Sequence, residues 1–149
     1  MSTENGMIVQ KWFEAAWTVK GYDPDTLRKL AAENIEFYYP LQGAKKGVEE
    51  IIACHETYRK SIPDMDFEVI GDVIAQGKYV VGRWIGGGTF SGAAFDSGNF
   101  GVVPANSGKK VRYTGITIFV VENGKIVEEK GEEQALNVLL ELGLVKRAV

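Results

Sequence analysis

The sequence predicts an α+β fold, a cone-shaped α+β barrel in which a curved, mostly antiparallel sheet wraps around three N-terminal helices and is followed by a C-terminal helix. Apolar spacing gives the order helix, helix, strand, helix, four strands, helix. Because helices do not alternate with strands in this order, a parallel βαβ sheet is not expected. The Glu122-Asn123-Gly124 turn favours a tight antiparallel hairpin late in the chain.

The helices are predicted from apolar stripes and from start and stop signals. Asp23 and Pro24 form a start signal, because Asp accepts hydrogen bonds from the first unpaired amides and Pro fits the first turn. Gly143 is a stop signal for the last helix. The helices are expected over residues 4–19, 24–31, 47–61 and 132–142.

The strands are predicted where β-branched and aromatic residues alternate with polar ones. Glycines within them, at 82, 86, 87, 88 and 115, suit strands that bend or bulge. Residues 91–108 are rich in small residues and contain Phe95 and Phe100, which favours a lid, an extended hairpin tip or the cover of a dimer surface. The strands are expected over residues 34–40, 66–75, 78–90, 109–121 and 125–131.

Composition limits the classes of function. The 149 residues suit a single domain over 1–149. A net charge of −3 with scattered basic residues argues against a nucleic-acid partner. The sequence has neither a signal-peptide pattern nor an apolar run of about 20 residues, so a cytoplasmic protein without a membrane partner is expected. The single cysteine, Cys54, has no metal-ligand spacing around it and is expected to be a half-buried thiol.

The segment from Gly124 to Gln134 carries a motif: Gly-Lys-Ile, a carboxylate, and then Lys130 and Gln134 at a spacing of four. Pro40-x-x-Gly43, Ile62-Pro63-Asp64 and Gly88-Thr89 add further landmarks. Together they resemble the SnoaL-like polyketide cyclase family of the nuclear transport factor 2-like superfamily. The resemblance implies a homodimeric cone with no metal or cofactor that binds small, hydrophobic, oxygenated molecules.

The chain departs from the family pattern where proton transfer is expected. Lys130 occupies the position of a Trp and Gln134 that of the acid/base Asp, while Phe90 stands where members often have a His. Gln134 forms hydrogen bonds but does not titrate near neutral pH. Glu132 and Glu133 flank it, and either could reach inward in place of the Asp or simply favour the helix N-terminus.

Other residues are therefore candidates for the chemistry. Glu128 and Lys130 lie two apart on a predicted strand, so we expect them to share a face with Ile126, with Glu128 as a base and Lys130 stabilising an enolate oxygen. The alternative is a solvated ion pair. His55 lies on the apolar stripe of the third helix and is either a proton-transfer group or a core histidine. Gln134 would orient oxygen atoms.

Aromatic residues are candidate walls of a ligand cavity, although aromatics on such elements are more often core. They are Trp17, Tyr38, Trp84, Phe90 and Tyr113. Two functions follow. The first is a cofactor-independent cyclase or isomerase that abstracts a proton next to a carbonyl in a small hydrophobic polyketide- or terpenoid-like metabolite. The alternative is a non-catalytic small-molecule-binding or accessory protein on the same fold.

Overall fold

The computed structural model describes residues 2–149, which form four helices and nine strands. The helices are α1 Ser2–Trp17, α2 Pro24–Leu30, α3 Val48–Ser61 and α4 Ala135–Glu141. The strands are β1 Ala31–Tyr39, β2 Gly43–Lys46, β3 Asp66–Val69, β4 Ile74–Gln76, β5 Tyr79–Thr89, β6 Phe95–Asp96, β7 Val102–Val103, β8 Lys110–Glu122 and β9 Lys125–Glu133. The predicted α+β class and the order of the helices and long strands are confirmed.

Seven strands form the main sheet, in the order β2-β1-β9-β8-β5-β3, with β4 also paired to β5. Every pair is antiparallel except β1 with β9, which is parallel. The sheet is thus mixed and mostly antiparallel, as predicted. Its buried face packs against the helices, and the long β5–β8–β9 meander supplies most of that face.

The sequence signals for helix ends are only partly confirmed. The carboxylate of Asp23 accepts hydrogen bonds from the amides of Asp25 and Thr26 at 3.1 and 3.4 Å, so the predicted cap of α2 is present. The last helix begins three residues later than predicted, because β9 continues through Glu133. The cause is pairing with β8, which the local sequence does not reveal.

Three short strands were not predicted, namely β2, β6 and β7. The predicted strand over 66–75 is divided into β3 and β4, because Gly71 between them adopts a positive φ of 72° that a regular strand cannot contain. A segment of two residues is too short to show the alternation of side chains that predicts a strand, so β6 and β7 could not be predicted in this way.

Residues 91–108 contain the small β6–β7 hairpin, which packs onto the body of the fold. Phe95 is buried and its ring lies 5.3 Å from that of Tyr58 and 6.2 Å from that of Phe90. The amide of Asn99 donates to the carbonyl oxygen of Pro40 at 2.8 Å. The segment is therefore a structured flap, tied at its tip to the turn that follows β1.

Neither a membrane-spanning helix nor a metal-binding cluster is found among the described residues. None of the helices over residues 2–149 is long and apolar enough to cross a membrane. Within the same range, no group of three or more His, Cys, Asp or Glu side chains is arranged to hold a metal ion.

Candidate functional site

A β-bulge in β9 determines which side chains reach the interior. Val121 of β8 pairs with Ile126, but Val120 pairs with Glu128, so Val127 is an extra residue that shifts the alternation. Ile126 is buried, and after the bulge the buried positions become Glu129 and Gly131. The prediction that Glu128 and Lys130 share a face with Ile126 is therefore wrong, because it assumed an uninterrupted strand.

Glu128 and Lys130 lie on the outer face of the sheet. The Lys130 ammonium is 3.1 Å from a carboxylate oxygen of Glu36 and 3.6 Å from one of Glu128. The three side chains are 38 to 49% exposed. The hydrogen bond to Glu36 is the main cause that raises the pKa of Lys130. This is the solvated ion pair that the sequence left as an alternative, and such a pair contributes about 0–1 kcal/mol.

Gln134 is exposed, and its side-chain oxygen accepts the amide hydrogen of Thr114 at 2.9 Å. The backbone N–H of Gln134 donates to the backbone carbonyl oxygen of Thr114 at 3.0 Å. Gln134 thus extends the pairing of β9 with β8 by one residue and joins it to α4. It does not line the interior cavity, so orientation of ligand oxygen atoms by this side chain has no support in the geometry.

His55 is buried on α3, with its ring 4.4 Å from that of Trp17 in an edge-to-face arrangement. Burial, helped by the nearby charge of Arg59, lowers the pKa of His55 to about 3. The imidazole is consequently neutral throughout the physiological range. It does not line the cavity, and the geometry favours the core-histidine reading.

A narrow cavity lies between α1 and the buried face of the sheet. Its volume is about 10 Å³, which is room for at most one water molecule. Among the predicted wall residues, Trp17, Trp84 and Tyr113 line it. The complete lining is Phe13, Trp17, Tyr39, Phe67, Trp84, Tyr113 and Glu133.

The other two predicted wall residues lie elsewhere. Tyr38 is 39% exposed on the outer face of the sheet, because it alternates with the buried residues Phe37 and Tyr39. Phe90 is buried but packs against Phe95 of the flap instead of lining the cavity.

Glu133 is the one carboxylate among the described residues that line the cavity. Its side chain accepts the amide hydrogen of Leu41 at 2.9 Å, which fixes one carboxylate oxygen. Burial among aromatic rings raises the pKa of Glu133 to about 7; the Leu41 hydrogen bond opposes this shift and the charge of Glu132 adds to it. Glu132 itself is exposed. Of the two carboxylates flanking Gln134, Glu133 is the one that faces inward.

A second inward carboxylate, Glu129, is completely buried. It accepts hydrogen bonds from the indole nitrogens of Trp12 and Trp17 at 2.8 and 3.0 Å and from the hydroxyl of Tyr39 at 2.7 Å. Burial raises the pKa of Glu129, and the three hydrogen bonds oppose that shift. Burial and the Glu129 charge in turn raise the pKa of Tyr39 well above its usual value.

Gly131 makes this arrangement possible. A Cβ atom at Gly131 would lie 2.2 Å from a ring carbon of Tyr39, so only a glycine lets the tyrosine ring pack across β9 between the two glutamates. The Tyr39 hydroxyl also lies 2.8 Å from that of Thr117, which accepts the indole N–H of Trp84 at 2.9 Å. A continuous hydrogen-bonded chain therefore runs from the cavity wall to Glu129.

The model of the SnoaL-like polyketide cyclase family matches residues 7–142. The chain belongs to this family. No curated protein matches the sequence significantly. The family's cone-shaped α+β barrel is the fold observed here.

Solved structures similar to this SnoaL-like protein share the fold at low sequence identity. A candidate SnoaL-like polyketide cyclase from Jannaschia sp. is 22% identical, with a TM-score of 0.81 over 97% of this chain and 95% of that one. IdmH, a candidate polyketide cyclase from Streptomyces antibioticus, is 23% identical, with a TM-score of 0.72 over 93% and 98%. An NTF2-like protein from Burkholderia xenovorans is 17% identical, with a TM-score of 0.72 over 95% and 98%.

Sequence reasoning on this SnoaL-like protein missed Glu129 altogether and gave Glu133 no preference over its neighbour. One signal was present: Gly131 interrupts a run of charged residues in a strand, and a strand glycine often marks a bulge or a close approach. Using this signal would have required knowing that Tyr39 lies across Gly131.

Proposed function

We propose that this SnoaL-like protein is a cofactor-independent cyclase or isomerase that moves a proton next to a carbonyl in a small hydrophobic, polyketide- or terpenoid-like ligand, with Glu133 as the proton-transfer group. The observation that carries the proposal is the position of this carboxylate, in a cavity otherwise walled by aromatic rings, with its pKa raised to about 7. A general base works best when its pKa lies near the working pH.

In the proposed step, ionised Glu133 takes a proton from the carbon beside the carbonyl, and the C–H electron pair becomes an enolate. In an isomerase, the protonated Glu133 returns the proton to another carbon of the conjugated system. In a cyclase, the enolate carbon attacks a second carbonyl and Glu133 protonates the resulting alkoxide. Both routes leave the carboxylate as it began and need no cofactor.

Tyr113 and Tyr58 are suited to stabilise the enolate oxygen. Their hydroxyls are 2.7 Å apart and share one hydrogen bond, so one of the two hydroxyl hydrogens remains for a ligand oxygen. Tyr113 lines the cavity, and burial raises the pKa of both tyrosines, which keeps them protonated donors. Glu128, Lys130 and Gln134 lie outside the cavity, and His55 does not line it, so the proposal gives them no proton-transfer step.

A ligand enters only if the walls move, because the cavity now holds at most one water molecule. The flap is placed to control this opening. Phe95 of the flap packs on Tyr58, and Tyr58 is hydrogen-bonded to the cavity residue Tyr113. Outward movement of the flap would release Tyr58 and widen that end of the cavity, which is the lid function that the sequence allowed.

The outer sheet face supports a homodimer. Ile116 and Ile118 of β8 are 48 and 49% exposed, and Tyr38 of β1 is 39% exposed nearby in the sheet. Exposed apolar groups on one face commonly mark an interaction surface. A second copy would also cover the ion pair of Lys130 with Glu36.

The test of the enzymatic proposal uses 2-tetralone, a small bicyclic ketone. The hydrogens on the carbons beside its carbonyl exchange for deuterium in D₂O, and the rate of this exchange is measured. Protein-catalysed exchange should rise with pH through about 7, as Glu133 ionises. Glu133→Gln should reduce it by about 10²–10⁴, the usual contribution of a general base. Glu132→Gln is the matched control and should retain the rate. Equal rates in the wild type and Glu133→Gln would refute the role of Glu133.

A second candidate function, non-catalytic binding of a hydrophobic molecule, is favoured by one observation: apart from Glu133, the cavity lining consists of aromatic residues. Saturable binding of 2-tetralone in the absence of protein-catalysed exchange would support binding over catalysis. Glu133→Gln would then tighten or preserve the binding, since it removes a carboxylate from an apolar cavity.

A further inference from the structure

The side-chain amide of Gln42 is an unexplained feature of the turn after β1. The residue is 4% exposed, and among the described residues neither its amide nitrogen nor its oxygen has a hydrogen-bond partner. Burying such a group unpaired costs about 1–3 kcal/mol, and proteins rarely leave both ends of an amide unpaired. The amide therefore indicates a partner from outside the chain.

Gln42 forms part of a groove on the side of the fold where β2, α3 and the flap meet. The groove has a volume of about 470 Å³, large enough for a small organic molecule. Lys45 contributes from β2, Cys54 from α3 and Ser97 from the flap. It shares none of its lining residues with the Glu133 cavity, so it is a separate site.

The charge around the groove is mixed. Lys45 provides one positive charge, while Glu50 and Asp96 provide two negative ones. Both carboxylates also accept hydrogen bonds from backbone amides, of Lys46 and Gly98 respectively. A net negative rim disfavours phosphates and other anions. The chemistry favours a neutral polar group.

We propose that this groove binds a neutral ligand that presents a carbonyl beside an N–H, as in a lactam or a carboxamide. Such a group is complementary to a primary amide: its carbonyl accepts from the Gln42 nitrogen while its N–H donates to the Gln42 oxygen. Both unpaired atoms of Gln42 are satisfied by one ligand. The aromatic ring of Phe95, also in the lining, provides an apolar surface beside this polar contact.

The amide atoms of Gln42 are covered in the present conformation, so binding requires a local opening. The flap wall is the element that can open. Its strands β6 and β7 have two residues each and pair only with one another. The local turn at Ser97, whose hydroxyl accepts from the amides of Asn99 and Phe100 at 3.0 and 2.9 Å, would move as a unit.

The test uses 2-pyridone, which holds C=O and N–H side by side, and N-methyl-2-pyridone, which lacks the N–H. Each is titrated into the full chain while the side-chain amide signals of Gln42 are followed by ¹H–¹⁵N NMR. Saturable shifts are expected for 2-pyridone, with affinity at least about tenfold weaker for the methylated analogue. Equal affinities would overturn the proposal, because a groove filled only by water or by apolar contact does not distinguish them.

Three variants localise the site. Ala53→Phe fills the groove from an exposed position of α3 and should abolish the shifts, whereas Glu56→Phe on the same helix lies outside the lining and should retain them. Gln42→Met removes the amide and should abolish the preference for 2-pyridone, which is followed in that variant through the backbone amide signals of Lys45 and Ser97. Binding that survives Ala53→Phe, or a preference for 2-pyridone that survives Gln42→Met, refutes the site. Glu133→Gln should bind 2-pyridone normally, so the outcome is independent of the catalytic proposal.

Discussion

The buried carboxylate of Glu129 allows a quantitative test of how the interior is held together. One of its oxygens accepts from Trp12, and the other accepts from Trp17 and Tyr39. Glu129→Gln keeps the size and shape of the side chain but replaces one acceptor by an NH₂ group. If the new carbonyl faces Trp17 and Tyr39, the NH₂ group faces the indole N–H of Trp12, and two donors oppose each other.

The expected cost follows from these contacts. One buried donor without an acceptor costs about 1–3 kcal/mol, and the two remaining bonds lose up to about 1 kcal/mol each when the acceptor loses its charge. Relief from burying a carboxylate offsets part of this, because burial is the main cause that raises the pKa of Glu129. We therefore expect a net loss of about 2–3 kcal/mol, or about 4–12 °C in Tm for a domain of this size.

Urea unfolding and thermal melts followed by tryptophan fluorescence measure this change. Glu128→Gln is the matched control, since it makes the same chemical change one residue away on the outer face. Its partner Lys130 is exposed, so the control should lose less than about 1 kcal/mol. If the two variants unfold within about 0.5 kcal/mol of each other, Glu129 does not organise the three donors in the way described.

Four further outcomes are expected. Because burial raises the pKa of Glu133 from 4.5 to about 7, its contribution to stability is fully present below pH 4.5 and is lost as pH rises through 7, by up to about 3 kcal/mol. The free energy of unfolding should therefore differ less between pH 5 and pH 8 in Glu133→Gln than in the wild type. Equal differences in the two proteins would contradict the raised pKa. Gly131→Ala should destabilise the protein by more than about 1 kcal/mol in thermal melts, because its Cβ would clash with the ring of Tyr39. In the control Gly6→Ala, the added Cβ in α1 has no contact closer than 3.5 Å, so the melts should show no change or a small gain in stability. Ile118→Lys should convert the proposed dimer to a monomer in light scattering, and a dimer that persists would place the interface elsewhere. Lys130→Met should leave the rate of 2-tetralone hydrogen exchange unchanged, and a large loss of this rate would show that Lys130 takes part in the reaction.

Most of the fold could be predicted from local patterns, and most of the site could not. The apolar stripes of α1 and α3 and the Asp23 cap depend on neighbouring residues, so the sequence displays them directly. The orientation of Glu128 and Glu129 depends on a bulge that is defined by pairing with two other strands. A period of two predicts alternation but not the point where it shifts.

The candidate walls show the same division. Trp17 and Trp84 border the narrow interior cavity, as the alternation or periodicity of their elements indicates, and their contact with a ligand stays a prediction. Tyr39 lines it as well, whereas the sequence pattern favours its neighbour Tyr38 equally, because neither residue type nor spacing separates the two before the face of β1 is known. The burial of His55 among aromatic rings, which lowers its pKa to about 3, likewise depends on distant residues such as Trp17.

The extra residue in β9 also makes the interior depend on how the strand pairs, even at an unchanged sequence. Deleting Val127 would remove the bulge but keep Glu129, Gly131 and Glu133 inside, because Glu128 and Glu129 would keep their partners on β8. Regular pairing of Val127 at the present strand length would instead exchange the two faces beyond Ile126, so that Glu128, Lys130 and Glu132 would take the inside positions. The interior would then carry a lysine between two glutamates where a glycine now admits an aromatic ring. The presence or absence of one bulge can thus change the acid–base character of the interior without any substitution, which makes strand pairing in β9 a variable in how relatives of this chain acquire different chemistry.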